Sequence, residues 1–129
     1  MPYQENLNSS IWKGGMNIKR GQICLASLDP AVGREISKTR PVVIISNDKN
    51  NTFSGTVTVL PITSKNVQKV YPFEVFFGKG EGNLPKISKA KADQVRTLDK
   101  GRIVKFIGSL SENKMQEIEY ALKIHLDLI

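Results

Sequence analysis

The segment TRPVVIIS, residues 39–46, decides the fold of this 129-residue chain. Every side chain from Pro41 to Ile45 is apolar, and all but the proline are β-branched. Side chains of a strand alternate between two faces, so a strand that is apolar throughout must be covered on both of them. We therefore predict a central β-strand over Pro41–Ser46 that is buried on two sides.

Five further segments have the length and the β-branched or alternating composition of strands. They are Ile18–Leu28, Thr56–Ile62, Pro72–Phe77, Lys86–Val95 and Arg102–Gly108. Polar or glycine-rich stretches separate them, and we predict loops at residues 30–38, 47–55 and 78–82. Short strands joined in this way are typical of a small antiparallel barrel.

The pattern changes to helical spacing over Ser109–Ile129. Apolar residues recur there on one face of a helix, namely Met115, Ile118, Leu122, Leu126 and Ile129. Ser109, followed three residues later by Glu112, matches a capping box. The expected fold class is mostly β, with a C-terminal helix packed against a small antiparallel barrel.

The length predicts one compact domain, preceded by a separate N-terminal tail. Residues 1–15 are mostly polar, end in two glycines and are expected to be disordered. Met16 is an alternative start, so the predicted domain spans residues 16–129. No apolar stretch has the length of a membrane span or the pattern of a signal peptide, and we expect a cytoplasmic protein without membrane contact.

The charge balance indicates an anionic partner. Lys and Arg total 19 against 12 acidic residues, which gives a formal net charge of +7 and a pI of about 9.6. A basic surface favours nucleic acid through phosphate contacts, although charge alone does not separate nucleic-acid binders from other basic proteins.

Most of the usual catalytic and metal-binding motifs are absent from this sequence. Cys24 and His125 are each the only residue of their type, and Cys24 lies in an apolar run that favours buried packing. We therefore predict no disulfide, no metal and no cofactor. Cleavage of RNA suits the residues that remain, because the 2′-OH is already a nucleophile and arginine or hydroxyl groups can stabilise the phosphate.

Arg40 and Thr63 are the residues that this chemistry singles out. Arg40 lies at the junction of the loop and the buried strand, and Thr63 ends the next predicted strand. Side chains at the ends of rigid strands are well placed to hold a phosphate. Taken alone, each also fits an ordinary role, a surface arginine and a hydroxyl that satisfies a turn.

From about Ile18 to Ile129 the chain resembles the MazF/PemK/Kid family, the toxin endoribonucleases of type II toxin–antitoxin systems. The resemblance rests on the order and spacing of short motifs. They are KRGQI at residues 19–23, LDP at 28–30 with Gly33 and Glu35, KTRPVV at 38–43, SND at 46–48, LPITS at 60–64 and DQVRTLD at 93–99.

The resemblance implies an SH3-like barrel that forms a homodimer, with single-stranded RNA lying across the dimer face. It implies sequence-specific, ribosome-independent cleavage of mRNA by attack of the 2′-OH, which leaves 2′,3′-cyclic phosphate and 5′-OH ends. It also implies a cognate MazE/PemI-like antitoxin whose extended tail covers the RNA groove. Arg40 and Thr63 match the main catalytic pair of the family.

Seven further candidates for catalysis or RNA binding follow from the resemblance: Arg34, Glu35, Asn47, Ser64, Lys91, Asp93 and Gln94. Arg34 and Glu35 lie in a loop that would border the groove. Asp93 matches an aspartate that some PemK-like members use, whereas Lys91 stands where those members have an arginine. Lysine keeps the charge of arginine but loses its bidentate fork.

Two other functions fit the same sequence pattern. A CcdB-like toxin has the same fold and poisons a protein target such as gyrase without catalysis, so fold alone does not decide the function. A nucleic-acid-binding module without activity is compatible with the lysine at position 91. The presence of Arg40 together with Thr63 favours the nuclease.

Overall fold

The computed structural model describes residues 17–129. The predicted tail, residues 1–15, and the alternative start at Met16 lie outside the described residues. Within them, seven strands follow one another: β1 (Gln22–Ser27), β2 (Thr39–Ile44), β3 (Thr56–Thr63), β4 (Glu74–Phe77), β5 (Ser88–Lys91), β6 (Arg96–Asp99) and β7 (Ile103–Ser109). The same residues form two α-helices, α1 (Asp48–Phe53) and α2 (Glu112–His125).

All strand pairs are antiparallel and form one curved sheet in the order β4-β5-β3-β2-β1-β7. Strand β6 pairs with the first half of β3, beside the β3–β5 ladder. Among the described strands the path stays open, with β4 and β7 at its ends. The prediction of a mostly β fold with a C-terminal helix on a barrel-like sheet is confirmed.

Strand β2 lies between β1 and β3 and is buried on both faces, as its composition predicts. Val42 and Ile44 pack into the core on one face, and Val43 packs into the core on the other; all three are fully buried. The strand begins two residues before Pro41 and ends two residues before Ser46.

Two apolar clusters cover the faces of the sheet. The cluster under helix α2 includes Ile23, Val43, Leu60, Ile62, Phe77, Met115 and Ile118. The cluster on the opposite face includes Cys24, Leu28, Val42, Ile44, Val59, Leu98 and Ile103. The three central strands β1, β2 and β3 contribute buried residues to both clusters, because successive side chains of a strand point to opposite faces of the sheet.

The predicted loop at residues 47–55 was wrong, because Asp48–Phe53 forms helix α1. This short helix has no apolar stripe and depends on local hydrogen bonds instead. The Asn47 side chain accepts a hydrogen bond of 2.8 Å from the Asn50 N–H, and buried Asn51 donates one of 2.8 Å to the Ser46 carbonyl. Side-chain caps of this kind stabilise a helix that apolar spacing does not reveal.

The predicted strand over Lys86–Val95 was too long. Strand β5 ends at Lys91, a 3-10 turn covers Ala92–Gln94, and β6 follows. The two strands pair with different halves of β3, and the turn between them buries Ala92. This turn places a kink where the sequence alone indicated one continuous strand.

Helix α2 differs from the prediction at both ends. Its N-cap is Ser111, whose side chain accepts a hydrogen bond from Lys114 N–H at 3.2 Å, because Ser109 is still part of β7. The helix ends at His125, so Leu126 and Ile129 are exposed instead of continuing the apolar stripe. Residues 17–129 contain no helix that is long and apolar enough to span a membrane.

Two glycines bring the β4–β5 connection against strand β7. Asn83 donates a hydrogen bond of 3.0 Å to the Ile107 carbonyl, and Gly82 has a φ of +57°. A Cβ atom placed on Gly108 would lie 2.7 Å from the carbonyl carbon of Gly82. The backbones can approach this closely only because residue 108 has no side chain.

We expect Gly108→Ala to destabilise the fold by about 1–3 kcal/mol, because the new methyl group meets backbone that cannot yield without moving a strand. Chemical denaturation with urea measures this loss. Gly78→Ala is the matched control, since a Cβ there would meet only the Glu81 side chain at 3.5 Å. Equal stabilities of the two variants would contradict the close packing.

Lys100 is a buried cation in the turn between β6 and β7. The residue is 2% exposed, and within residues 17–129 its Nζ has no hydrogen-bond partner. Burial lowers the pKa of this amine from its ordinary 10.5, because the charged form loses its hydration. The charged amine therefore opposes folding at neutral pH.

Lys100→Met should stabilise the protein at pH 7 by about 1–3 kcal/mol, the cost of an unsatisfied buried polar group. Wild-type stability should rise as the pH increases from the lowered pKa of Lys100 towards 10.5, because the unfolded chain binds this proton more tightly. Urea denaturation at several pH values measures both effects. Exposed Lys123 supplies the control variant Lys123→Met, which keeps Lys100 and should match the wild type both in stability at pH 7 and in its rise with pH.

Candidate active site

Strands β2 and β3 bring the two main candidates together. Their ladder pairs Val43 with Leu60 and Val42 with Pro61. Arg40 and Thr63 each lie two residues beyond the last pair of this ladder, at the same end of the two strands. The ladder thus places at one end of the sheet an arginine and a threonine that are 23 residues apart in the sequence.

Arg40 is half-buried and fixed by one hydrogen bond, from its Nε to the Ser37 carbonyl at 2.8 Å. Within residues 17–129 its two terminal Nη groups have no protein partner, so they are available to an anion. The side chain lines a cleft of about 210 Å³. The other lining residues are Pro41, Ile62, Ser64, Leu84, Pro85, Lys86 and Ser88.

Thr63 is the last residue of β3 and is 8% exposed. Its Oγ1 accepts a hydrogen bond of 3.1 Å from the Lys65 N–H. This bond holds the oxygen in place and leaves the hydroxyl proton free to be donated. Ser64, the next residue, lines the cleft of Arg40.

A second cleft, of about 390 Å³, collects four of the predicted residues: Arg34, Glu35, Asp93 and Gln94. Gln94 connects its two walls, because its Oε1 accepts from the Ile36 N–H at 3.3 Å and its Nε2 donates to the Arg34 carbonyl at 3.4 Å. The Glu35 carboxylate accepts from the Val32 N–H at 2.7 Å. Gln94 therefore positions the loop that presents Arg34.

Lys91 lies between two carboxylates at the edge of this region. Its Nζ is 2.6 Å from Glu74 Oε2 and 3.7 Å from Asp93 Oδ1. An arginine could bind one carboxylate with two parallel bonds, whereas the single ammonium of Lys91 is directed mainly at Glu74.

Glu74 and Lys89 form the buried part of this network, and sequence analysis did not select either of them. Their side chains are 1% and 4% exposed, and Nζ lies 2.9 Å from Oε1. Burial alone raises the pKa of Glu74, but hydrogen bonds from Lys91, the Tyr71 N–H and Lys89 outweigh it and hold this pKa below 4.5. The sequence did contain one signal for Glu74, since it is the only charged residue in the otherwise apolar segment 73–77.

Asn47 is not brought to these clefts. It caps helix α1 and lines a separate cleft with Lys49, Asn50, Phe53 and Ser54. Its local hydrogen bond with Asn50 accounts for an amide at this position.

Cysteine and histidine are common nucleophiles and bases in enzymes, but Cys24 and His125 both lie apart from the two clefts. Cys24 is fully buried, and burial raises the pKa of its thiol to about 12. His125 is exposed at the end of helix α2, with its ring centroid 6.4 Å from that of Phe73. No group of three or more His, Cys, Asp or Glu side chains within residues 17–129 is arranged to hold a metal ion.

Residues 19–126 match the PemK-like, MazF-like toxins of type II toxin–antitoxin systems. The chain belongs to this family. Endoribonuclease MazF9 of Mycobacterium tuberculosis (strain ATCC 25618 / H37Rv) is 40% identical over 116 residues, which cover 86% of this chain and 98% of that protein. The family therefore extends over nearly all the described residues.

Solved structures of MazF proteins have the same fold. A MazF crystal structure from Deinococcus radiodurans superposes with a TM-score of 0.73 at 25% identity, and covers 85% of this chain and 96% of that one. An endoribonuclease from a mycobacterial species, in complex with its cognate antitoxin, gives 0.72 at 24% identity over 87% of this chain and 97% of that one. These likenesses establish the MazF fold.

Glu74→Gln should destabilise the protein by about 3–5 kcal/mol, because it leaves the buried ammonium of Lys89 without a countercharge. Since the pKa of Glu74 is lowered on folding, this stabilisation is complete above pH 4.5 and is lost as the pH falls through the folded pKa. Wild-type stability should thus fall more steeply below pH 4.5 than that of the variant.

Urea denaturation between pH 3 and 7 tests both statements. Glu117→Gln is the control, because that carboxylate is 54% exposed and lies 3.6 Å from Lys114. Similar losses for the two variants would show that the buried pair does not stabilise the fold.

Proposed function

We propose that this protein is a sequence-specific, metal-independent endoribonuclease, the toxin of a type II toxin–antitoxin pair. The observation that carries the proposal is that Arg40 and Thr63 lie at the same end of the paired strands β2 and β3, in a chain of the PemK/MazF family. The relative at 40% identity is an endoribonuclease by name. Residues 16–129 are the proposed toxin domain.

The proposed reaction is a transesterification within the RNA strand. The 2′-oxygen loses its proton and bonds to the adjacent phosphorus, while the bond from phosphorus to the 5′-oxygen breaks and that oxygen gains a proton. The products are a 2′,3′-cyclic phosphate and a 5′-hydroxyl. Because the substrate supplies the nucleophile, the protein needs only to align the atoms and stabilise the added negative charge, and no metal is required.

Arg40 is proposed to hold the phosphate as charge builds up on its oxygens. Its Nη groups, which have no protein partner within residues 17–129, can form a bidentate contact, and the bond from Nε to Ser37 limits their movement. A guanidinium stays protonated at neutral pH, so charge stabilisation is its main contribution. Thr63 is proposed to donate its hydroxyl hydrogen to the same phosphate from the neighbouring strand.

The remaining candidates are proposed to bind the RNA around the reacting phosphate. Ser64 shares the cleft of Arg40, while Arg34, Glu35 and Asp93 border the second cleft. Single-stranded RNA is recognised through its unpaired bases, so the shape of these two clefts would set the cleavage motif. Gln94 and Lys91 would act by positioning the loop and Asp93.

The proposed assembly follows the family. We infer a cytoplasmic homodimer whose activity is blocked by a cognate antitoxin, by analogy with the mycobacterial endoribonuclease solved with its antitoxin. A non-enzymatic, CcdB-like poison has no specific observation in its favour, whereas the named relatives MazF9 and the mycobacterial protein are endoribonucleases.

Purified protein should cut a long single-stranded RNA at one short motif in the presence of EDTA and leave 5′-hydroxyl ends. Arg40→Ala should slow cleavage by about 10²- to 10³-fold, the usual effect of removing one transition-state donor. Thr63→Val should slow it similarly, because it removes the hydroxyl without changing the shape of the side chain. Mapping of fragment ends and single-turnover rates measures these effects.

Thr63→Ser and Lys123→Ala are the matched controls, since the first keeps the hydroxyl and the second changes an exposed charge on helix α2. Both should cleave at close to the wild-type rate. Intact RNA after incubation with folded wild-type protein would refute the nuclease and redirect the search to a protein target. Activity that is lost in EDTA and restored by a divalent ion would refute metal independence alone.

A further inference from the structure

A mostly apolar cleft of about 440 Å³ lies against helix α1, outside the proposed active site. Phe53, the one apolar residue of that helix, lines the cleft and is 37% exposed. The volume lies within the range of about 300–1,000 Å³ that is usual for sites that enclose a small molecule. The cleft therefore has room for a large side chain.

Local hydrogen bonds fix the walls of this cleft. The Asn50 side chain, which lines it, donates a hydrogen bond of 3.1 Å to the Thr56 carbonyl. The buried Asn51 side chain also ties the helix to Ser46. Phe53 is thus carried by a backbone that is already ordered, which lowers the entropic cost of a contact with its ring.

The cleft lies at the end of the sheet opposite the proposed catalytic pair. Helix α1 follows the end of β2 and precedes the start of β3, whereas Arg40 lies near the start of β2 and Thr63 ends β3. Strand β3 has eight residues, so about 23 Å separate its two ends. A side chain in the cleft would therefore lie about one strand length away from a phosphate held by Arg40 and Thr63.

The described chain begins beside the same helix. The Arg20 N–H donates a hydrogen bond of 2.7 Å to the carboxylate of Asp48, the first residue of α1. Ile18 is buried in the core, and Asn17, the first described residue, is exposed. The chain therefore enters the domain next to the helix that carries the cleft.

The segment before Asn17 contains two adjacent large apolar side chains, Ile11 and Trp12. An extended chain covers at most about 3.3–3.6 Å per residue, so the stretch from Trp12 to Asn17 spans up to about 18 Å. Helix α1, with six residues, is only about 9 Å long. Trp12 can thus reach any part of the cleft, and an indole ring gains by leaving water for an aromatic contact.

We propose that Ile11 and Trp12 dock in this cleft of the same chain, with the indole ring of Trp12 against the ring of Phe53. Burial of apolar surface from water drives the contact, and the two rings pack edge-to-face or offset-stacked. Both residues would then be ordered, in contrast to the prediction for residues 1–15.

The docked segment would reinforce helix α1, which is too short to be stable through its own backbone hydrogen bonds. The inference does not depend on the proposed function, because neither the contact nor its measurement involves RNA.

Fluorescence of the full chain tests the contact directly, because Trp12 is its only tryptophan. In the folded protein, Trp12 should emit at shorter wavelength and be quenched less by acrylamide than in protein unfolded by urea. Phe53→Ala should shift the emission to longer wavelength and raise the quenching constant, because the indole loses one wall of its site. Phe53→Tyr should retain the wild-type emission, since it keeps the ring.

Phe106→Ala is the control variant, because Phe106 is 47% exposed on β7 and does not line the cleft. It should leave the emission unchanged, and circular dichroism verifies that each variant is folded. An emission of the folded wild type that equals that of the urea-unfolded chain would overturn the inference. So would an emission that responds to Phe106→Ala and not to Phe53→Ala.

Dilution of the wild type separates this occupant from a second copy of the chain. Emission from an intramolecular contact should be independent of protein concentration. A shift to longer wavelength on dilution would place the indole in the cleft of another copy and overturn the intramolecular contact.

A double-mutant cycle measures whether the two rings stabilise each other. Trp12→Ala and Phe53→Ala should each raise the unfolding constant, measured in urea by circular dichroism. Their coupling should correspond to a factor of about 2 to 13 in that constant, the usual range for one aromatic pair. Trp12→Ala combined with Phe106→Ala is the control cycle and should be additive. Additivity of Trp12→Ala with Phe53→Ala would show that Trp12 does not dock against Phe53.

Discussion

The burial of strand β2 on both faces is the constraint on which the rest of this structure depends. Val42 and Val43 point into different apolar clusters, so a slip of one residue against β3 would exchange the two faces of the strand. The register between β2 and β3 is therefore set by the core. Arg40 and Thr63 lie two residues beyond the last pair of this ladder, so the same packing decides that both lie at one end of the sheet. A proposed site placed in this way needs no contact between the two side chains themselves.

A second layer of organisation is electrostatic and belongs to the sheet edge formed by β4 and β5. Glu74 is buried with Lys89, accepts a hydrogen bond from Lys91 and also receives the N–H of Tyr71. One carboxylate thus connects two strands, the β3–β4 loop and, through Lys91, Asp93. Removal of one partner of such a buried pair is costly, whereas replacement of both partners by well-packed apolar residues is often neutral.

The proposed site is assembled from loops that are tied to this rigid sheet. Gln94 connects the turn after β5 to the loop of Arg34, and Lys89 holds the loop of Tyr71. The reacting groups lie at strand ends, and the groups that would read bases lie on the tied loops.

The sequence by itself determined the fold class, the central strand and the family, and it selected the proposed catalytic pair, because apolar alternation and short ordered motifs are local properties of the chain. It did not determine helix α1, the turn that splits β5 from β6, or the cap of α2, since hydrogen bonds and pairing partners decided those. Nor did it select Glu74 and Lys89, because a buried charge is stable only with partners that lie 15 residues away in the sequence and meet across two strands. Tertiary structure alone brought these residues beside Thr63, since strand register is a relation between segments and not a property of either one.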